Sequence, residues 1–392
     1  MGNRFTESLA DALNSIKTKT SVTQWLGGNK NLWLYSRSFD IAFILAPSFL
    51  SVIFVLIFSD RFAVTDGIPL WAWVVFVLCI DVSHVYSSLF RTYFNKKEFS
   101  ENKTLYTLLP MIVFLVSVFL YALGANVFWR ILAYTAVFHF IRQQYGFMRL
   151  YSRNTTESNF SRKIDTLLIY VSTLYPILYW HTHLPRNFRW FTDGDFIQGV
   201  PRISERILLL VYIVVAITYL VKEFRQTFLQ KNFNTPKNLI ILGTALSWYV
   251  GIVLLNGDMV FTITNVVSHG IPYMALVWAF GKKQADKDDS ILVFGKLQYK
   301  VFFSRYSFPI FITSLILLGY IEEGFWAGLI WREHLEIFGI FADLPSIRAK
   351  DTLNLIVPLL TLPQATHYVL DGFIWRLRDN NSNWQKTFFE SK

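Results

Sequence analysis

Four histidines lie inside long apolar stretches of the sequence, where an ionisable side chain costs free energy and usually serves a function. They are His84, His139, His269 and His367. Each has an Asp, Asn or Gln three or four residues away, and on a helix that spacing places two side chains on one face. Neutral imidazoles bind iron, zinc or copper, and neighbouring polar groups can orient the rings. The pattern predicts one metal site shared by four segments.

The polar neighbours of these histidines divide into two groups by their chemistry. Carboxylates can join a coordination sphere, so we predict Asp81 and Asp371 as further metal ligands. We predict that Gln143, Gln364 and Asn265 orient the imidazoles. Four imidazoles could hold one ferrous ion with an open position for oxygen, and the two aspartates could support a second iron. The same histidines could instead pair as axial ligands of one or two b-type haems.

Two residues that follow His139 on the same segment carry predicted catalytic roles. They are Arg142 and Tyr145. An arginine this deep in an apolar run needs an acidic partner, so we expect Arg142 to pair with Asp81 or Asp371, or with substrate.

Transmembrane helices are the elements that must position these residues. The chain has 392 residues, of which 53% are hydrophobic and 16% are charged, whereas soluble domains carry about 25% charged residues. Phe and Trp contribute 37 and 13 residues, and such rings face acyl chains or lie at the headgroup level. The composition predicts an all-α, polytopic bundle of transmembrane helices with the lipid bilayer as its partner.

The positive charge of the chain does not indicate nucleic-acid binding. The net charge is +10, but Lys and Arg occur in short runs between apolar stretches. Cytoplasmic loops of membrane proteins carry this excess, so we expect no nucleic-acid partner. The single cysteine, Cys79, has no second thiol in the chain, which excludes an internal disulfide and a thiolate-held cluster.

Ten apolar runs are long enough to cross a membrane. A helix rises about 1.5 Å per residue, so about 15 to 22 residues cross a hydrocarbon core of about 30 Å. With the N-terminus inside, the loops of the two sides hold about 27 and about 9 basic residues, and Lys and Arg favour the cytoplasm. We therefore expect about ten spans with both termini cytoplasmic. The runs lie at residues 41–59, 70–90, 105–123, 129–148, 167–181, 207–221, 239–255, 260–280, 308–321 and 353–375.

The bundle is predicted as one domain, residues 41–375, between two cytoplasmic ends. The N-terminal lead, residues 1–40, has apolar residues at helical spacing that could lie on the membrane surface; a short lead without structure is the alternative. The C-terminal tail is residues 376–392. Charged residues interrupt the stretch 325–341, so we predict an interfacial helix there rather than an eleventh span. The apolar residues of the lead are Phe5, Leu9, Leu13 and Ile16.

The four histidines share a depth on this topology. Their spans are the second, fourth, eighth and tenth, and all four run from outside to inside. Counted from the cytoplasmic ends, the histidines lie about 6, 9, 11 and 8 residues deep, which is roughly 9 to 17 Å. Any one of them could simply make an interhelical hydrogen bond, but a common depth favours one shared site.

The other three histidines belong to the outer side on the same topology. They are His181, His183 and His334. Most of the membrane separates them from the four deep histidines, so we interpret them as loop residues. A zinc site on the outer side is the alternative.

Two short segments of the sequence resemble a known group of proteins. They are residues 138–146, Phe-His-Phe-Ile-Arg-Gln-Gln-Tyr-Gly, and residues 367–375, His-Tyr-Val-Leu-Asp-Gly-Phe-Ile-Trp. They resemble bacterial polytopic membrane proteins labelled β-carotene 15,15'-monooxygenase-like, after the Brp/Blh membrane dioxygenases. The resemblance covers these two short segments. It implies a non-haem iron held by histidines on transmembrane helices, with oxygen cleaving a polyene, and we expect a bacterial inner membrane. No ligand is transferred from it; the four histidines are predicted from depth and spacing.

Three functions are compatible with these features. The first is an iron-dependent membrane oxidoreductase or oxygenase whose apolar lipid or isoprenoid substrate enters from the inner leaflet. The second is a transporter or proton-coupled carrier in which the histidines and aspartates form a relay; against it, no span looks broken by Gly and Pro at mid-membrane. The third is an electron-transfer protein with b-type haem.

Overall fold

The fold is helical throughout the part of the chain that the computed structural model describes. Its regular elements are helices, with one isolated β-bridge between Leu292 and Gln298. The all-α prediction is confirmed for these residues. The predicted amphipathic lead lies outside them, as does most of the C-terminal tail. The described residues are 32–62, 68–186, 190–229, 232–255, 257–293, 295–304 and 306–376, together with residues 385 and 389.

Eleven helices within the described residues, numbered in chain order, build the bundle. Shorter helical turns at Ser59–Phe62, Lys96–Glu101, Lys300–Phe303 and Gly339–Phe341 lie in the connections. The eleven are α1 Arg37–Ile57, α2 Leu70–Arg91, α3 Lys103–Leu123, α4 Ala125–Tyr151, α5 Asn159–His183, α6 Arg202–Phe228, α7 Thr235–Leu254, α8 Asp258–Lys287, α9 Phe308–Trp331, α10 Lys350–Leu360 and α11 Leu362–Ile374.

Seven of these helices are long and apolar enough to cross a membrane, namely α1, α2, α3, α6, α7, α8 and α9. Helices α4 and α5 have 27 and 25 residues, which is ample length for a core of about 30 Å, but their sequences are more polar. The structure therefore agrees with a membrane protein, while the count of ten spans and the side of each terminus stay predictions.

Helix α8 lies at the centre of the bundle. Its most apolar stretch is 94% buried, whereas the corresponding stretches of α3 and α6 are only 17% buried. Those two helices turn large apolar side chains outward, such as Phe119 and Leu220, as helices that face acyl chains do. The helix that carries His269 is therefore shielded on every side.

Several helices contain π-helical segments, in which the hydrogen bonds join residues five apart and the helix widens. In α2 the segment is Trp73–Val82, which ends two residues before His84. In α8 it is Thr262–Val266, which ends three residues before His269. Such segments occur frequently at functional sites. Here they shift the rotation of the histidines relative to the preceding turns.

Three details differ from the sequence-based expectations. The fifth and ninth spans are longer than the predicted residues 167–181 and 308–321, because α5 and α9 have 25 and 24 residues. The predicted interfacial helix at residues 325–341 is wrong: α9 continues to Trp331, and Arg332 then ends it with a left-handed φ of 60°. The Arg332 guanidinium holds the turn by donating to the carbonyls of Gly328, Ala342 and Leu344.

The tenth span is interrupted, contrary to the expectation that none is. Helix α10 ends at Leu360 and α11 begins at Leu362, with Thr361 between them. Pro358 and Pro363 flank this residue, and a proline removes a backbone donor and disturbs the preceding turn. The break lies six residues before His367, on the same chain segment.

A buried ionic network joins α5, α6 and α7. The Lys237 ammonium, 1% exposed, lies 2.7 Å from Glu223 and 3.2 Å from Asp165. Lys222 pairs with the same two carboxylates, and Glu157 lies 3.5 Å from Lys237. Buried charges persist only when they are paired. Each partner in this network therefore depends on the others.

Removing one cation should expose that dependence. Lys237→Met leaves the buried carboxylates of Asp165 and Glu223 with Lys222 as their one remaining cation. We therefore expect the free energy of unfolding to fall by about 3 to 5 kcal/mol. Denaturant unfolding of the purified protein in detergent measures it. The control is Lys300→Met, whose ammonium is 44% exposed and pairs with Asp289 at 3.1 Å. Equal losses for the two variants would contradict the prediction.

Candidate metal centre

The four deep histidines converge. Each of His84, His139, His269 and His367 offers one ring nitrogen, and these four nitrogens all lie within 4.8 Å of one another. Neighbouring ring centroids are 4.6 to 5.1 Å apart, and the rings stand nearly perpendicular to their neighbours. The side chains are between 1% and 3% exposed. The predicted convergence of the four imidazoles is confirmed.

The donor set fits a metal ion. Ligand nitrogens lie about 2.0 to 2.1 Å from zinc, which puts two nitrogens of a tetrahedral site about 3.4 Å apart. The Nε2 atoms of His84 and His269 are 3.2 Å apart. Nε2 of His139, Nδ1 of His269 and both ring nitrogens of His367 are buried with no hydrogen-bond partner among the described residues. Buried polar atoms are rarely left so. This buried group could therefore hold a metal ion.

A missing side chain brings α2 and α8 together at this point. Gly270 follows His269, and a Cβ atom there would lie 2.7 Å from Ile80 Cγ2 and 3.5 Å from His84 Cβ. Only a residue without a side chain permits this approach. The Ile80 carbonyl also lies 3.3 Å from His84 Nδ1, which turns Nε2 of that ring toward His269.

Two glutamines attach α4 to α8 beside the cluster. Pro272 has no N–H group, so it cannot bond the carbonyl of Ser268 four residues earlier. Gln144 donates to that carbonyl at 3.1 Å, and Gln143 donates to the next carbonyl, that of His269, at 2.8 Å. The amides thus satisfy the turn that Pro272 disrupts. They also fix His139, on the same helix, relative to His269.

That Gln364 and Asn265 orient the imidazoles stays a prediction. Gln364 hydrogen-bonds Tyr368, whose ring lies 5.0 Å from that of His139. Asn265 donates to Thr264, and its Oδ1 has no partner among the described residues. His269, four residues later, has an equally unpartnered Nδ1. Both residues are therefore near the cluster, without a direct bond to an imidazole.

The two aspartates lie behind the imidazoles rather than among the four converging nitrogens. Asp371 has its carboxylate oxygens 3.7 Å from His139 Nδ1 and 3.9 Å from His367 Nδ1. Asp81 lies 3.8 Å from His84 Nδ1. These distances are longer than hydrogen bonds, so the carboxylates lie near the Nδ1 atoms without bonding them, on the side of each ring away from Nε2. This position favours orientation over the direct coordination that the sequence predicted.

Arg142 and Tyr145 lie elsewhere. Arg142 is exposed, donates to the Tyr170 hydroxyl at 2.9 Å and lies over the Tyr145 ring at 4.9 Å. The expected pairing of Arg142 with Asp81 or Asp371 is not found. Three residues after His139 correspond to about 60° around the helix, which is enough to turn Arg142 outward. The predicted catalytic roles of these two residues have no support in this geometry.

Sequence reasoning missed several residues that shape the site. Tyr273 donates its hydroxyl to Asp371, and its ring lies 4.9 Å from that of His367. Phe140 stacks on His269, with centroids 3.7 Å apart. The spacing of Tyr273, four residues after His269, was the available signal, because it places both side chains on one helix face.

The three outer histidines do not join the cluster. His181 is buried, bonds Tyr134 and the Ile177 carbonyl, and packs within the core. His183 lies 3.8 Å from Glu205. His334 stacks on Trp73, with centroids 4.3 Å apart. The interpretation of His181 as an exposed loop residue is wrong, since α5 extends through it.

A cavity of about 410 Å³ opens beside the histidines, with Asp81 and Gln364 in its wall. The connection after α5 forms another part of the wall. There the buried Asp195 carboxylate accepts backbone N–H groups of Trp190 and Phe191 at 2.9 and 2.7 Å. Burial raises the pKa of Asp195 above its ordinary value, and these hydrogen bonds oppose the rise. The loop is thereby held against the cavity.

Filling the contact at Gly270 should damage the centre. For Gly270→Ala we expect a loss of about 1 to 3 kcal/mol in the free energy of unfolding, because the new methyl overlaps Ile80, and weaker metal binding, because His84 moves away from His269. Unfolding in denaturant and metal titration measure the two effects. Gly146→Ala is the matched control, since no atom lies within 4 Å of its added Cβ. Normal metal affinity in Gly270→Ala would refute the prediction.

Comparison of the chain with protein-family models, with curated proteins and with solved structures finds no match. The resemblance to the Brp/Blh type therefore stays a prediction. What this chain does has to be argued from the four histidines and their surroundings.

Proposed function

We propose that the chain is an integral membrane oxidoreductase that uses one histidine-held metal ion, iron, to oxidise a membrane-soluble lipid or isoprenoid with dioxygen. The observation that carries the proposal is the convergence of four buried ring nitrogens within 4.8 Å. Two of the helices that carry them, α2 and α8, are long and apolar enough to cross a membrane. Dioxygen and an apolar substrate both partition into such surroundings.

Metal binding explains the cluster better than packing does. In a purely structural role each imidazole would need a hydrogen-bond partner, because leaving a buried polar atom without one costs about 1 to 3 kcal/mol. His367 has two such nitrogens, and His139 and His269 have one each. A single cation at the centre would bind one nitrogen of each ring, and so would give partners to His139 Nε2 and to one nitrogen of His367.

The spacing of the rings favours a single ion over b-type haem. A haem between two axial histidines needs a slot as wide as the macrocycle. Here every imidazole lies with its centroid 4.6 to 5.1 Å from those of two others. The rings fill the space that a porphyrin would need. The two aspartates behind them also argue against a second iron.

Iron is proposed from the chemistry of the donor set. Imidazole ligands with no thiolate suit iron, zinc or copper, and ferrous iron supplies the oxygen chemistry when it is bound. The chain's own groups would hold Nε2 of the rings toward the ion through Asp81 and Asp371. Phe140, Tyr273 and Tyr368 enclose the imidazoles and exclude water. We further propose ten spans, both termini in the cytoplasm, and a bacterial inner membrane.

A carrier remains the second candidate because of one observation. The tenth span is broken at Thr361 beside the cluster, and interrupted helices are typical of transporter binding sites. In a carrier the histidines and aspartates would pass protons or bind a transported cation. Tightly bound iron that is oxidised by dioxygen would favour the enzyme. Metal-dependent uptake into vesicles without oxygen consumption would favour the carrier.

The metal content of the purified protein tests the proposal. We expect about one iron per chain after reconstitution with ferrous ion under argon, measured by elemental analysis, and oxygen consumption when β-carotene in detergent is supplied. His269→Ala should lose the metal. The control is His181→Ala, which removes another buried histidine outside the cluster. Equal metal content in the two variants would refute the site, and iron without oxygen uptake would refute the activity while leaving the site.

The hydroxyl of Tyr273 should matter although it does not face the metal. It donates to Asp371, which lies beside Nδ1 of two of the imidazoles, so Tyr273→Phe should weaken metal affinity by about 10- to 100-fold. Competition against a chelator measures it. Tyr134→Phe, which removes the bond to His181, is the matched control. Unchanged affinity in Tyr273→Phe would show that Asp371 does not orient the rings.

A further inference from the structure

The cavity beside the histidines lies where five separate parts of the chain meet. It is lined by the first half of α2, the start of α4, the connection after α5, the end of α9 with the turn after it, and the break between α10 and α11. Its volume of about 410 Å³ is within the range of pockets that hold a small organic molecule. The cavity is therefore large enough for a ligand of its own.

Acidic residues dominate the charge of this cavity. Five carboxyl side chains line it, and none of the described lining residues is Lys or Arg. The whole chain, in contrast, has 37 basic and 27 acidic residues, so the cavity opposes the overall charge. A pocket of one sign concentrates ligands of the opposite sign. The five are Asp81, Asp193, Glu322, Glu323 and Glu333.

Aromatic faces supply the rest of the wall. The rings of Trp129, Trp326 and Trp331 form a triangle with centroids 5.7 to 6.0 Å apart. Phe191 lies 5.4 Å from Trp129. Trp73, Trp190 and Phe338 also line the space. Clustered indole rings attract a cation through their π-electron faces, and such cages recognise substituted ammonium groups.

One carboxylate in the cavity is available for a ligand. Glu322 accepts a hydrogen bond from the Tyr86 hydroxyl at 2.6 Å. The next residue, Glu323, is half-buried, and no hydrogen bond or ion pair to it occurs among the described residues. A carboxylate in such surroundings normally has a counter-charge. A positively charged ligand could therefore supply the counter-charge that Glu323 lacks among the described residues.

The frame around the cavity mouth is fixed before any ligand binds. Arg332 and His334 both have left-handed φ angles, 60° and 54°, an uncommon conformation for residues with side chains. The three carbonyls that Arg332 binds hold this turn in place. Trp331 and Glu333, which flank Arg332, are thereby presented to the cavity. Binding of a ligand would therefore cost little entropy for ordering this part of the site.

The cavity also reaches the candidate metal centre. Asp81 lines it and lies 3.8 Å from His84 Nδ1. Val85, the residue after His84, lines it as well, and Gln364 lies one helical turn before His367. A molecule in the cavity would thus lie next to residues that neighbour the imidazoles on α2 and α11.

We infer that this cavity binds an organic cation, a molecule with a positively charged nitrogen and an apolar body. The binding does not rest on the proposed function, whose substrate is an apolar lipid or isoprenoid. The nitrogen lies against Glu323 and the Trp129, Trp326 and Trp331 rings, and the apolar body fills the remaining volume. A divalent metal ion would gain little from indole faces, and an anion would be repelled by five carboxylates.

A matched pair of probes tests the inference. Choline and its neutral carbon isostere, 3,3-dimethylbutan-1-ol, have the same shape and differ in charge. Isothermal titration of the purified protein in a neutral maltoside detergent should give saturable binding of choline at least about tenfold tighter than of the alcohol. Hexyltrimethylammonium, which adds an apolar body, should bind more tightly than choline. Equal binding of choline and the alcohol would overturn the inference.

Variants locate the binding. Glu323→Gln and Trp331→Leu should each weaken hexyltrimethylammonium binding by about tenfold. Trp331 is 43% exposed, so its replacement spares the core. Glu336→Gln is the control, because Glu336 is exposed near the same turn but is not part of the lining. Affinity of both variants equal to that of the control would also overturn the inference.

Titration of the metal-free and the iron-loaded protein separates this inference from the proposed function. Cation binding without any metal uptake would sustain the cavity and refute the metal centre. Normal metal uptake without cation binding would refute the cavity alone. Size-exclusion profiles and metal content of each variant show whether it has kept its fold.

Discussion

The constraint on which the rest of this structure depends is that a polar atom inside an apolar bundle must find a partner. No water is present in such surroundings to act as the partner, and each buried polar atom without a hydrogen bond costs free energy. The carbonyls of Ser268 and His269, next to Pro272, meet it through the amides of Gln144 and Gln143. The buried cations of α6 and α7 meet it through three carboxylates. Three of the four clustered imidazoles, those of His139, His269 and His367, have a ring nitrogen without a partner among the described residues. The contrast within one protein is the strongest physical argument that these imidazoles have a ligand of another kind.

The same constraint explains how four helices come to share one point. Gly270 lets α8 approach α2 until its histidine reaches that of α2, and the glutamine amides tie α4 to the turn of α8 that Pro272 disrupts. Asp371 then lies beside His139 on α4 and His367 on its own helix, while Tyr273 of α8 bonds it. Helix α8 is therefore joined to each of the other three helices through a polar contact. In a membrane such contacts supply much of what the hydrophobic effect supplies to soluble proteins.

The sequence predicted the helices because apolar runs differ clearly in composition from the polar loops between them. It predicted the four histidines because an ionisable side chain is conspicuous within an apolar run. It did not predict the rotation of each helix. A residue three positions away lies about 60° around the helix, so Asp81 could equally have faced the cluster or lain behind His84, and Arg142 could have faced inward. The π-helical segments of α2 and α8 add a further shift that no periodicity encodes. The break at Thr361 was signalled by Pro358 and Pro363, but prolines near helix ends and within membrane helices are common enough to hide it.

The placement of charge has a consequence for how the centre could work. Neutral imidazoles leave the full charge of a bound divalent ion uncompensated by its direct ligands, and a low-dielectric interior makes that charge expensive. The carboxylates of Asp81 and Asp371, less than 4 Å behind the rings, offset it at a distance that keeps them out of the coordination sphere. Positions around the ion that a carboxylate would otherwise take are then available to an incoming molecule. A cluster built only to be stable would gain more from direct carboxylate ligation, so this arrangement agrees with the proposed function, which needs an open position on the ion.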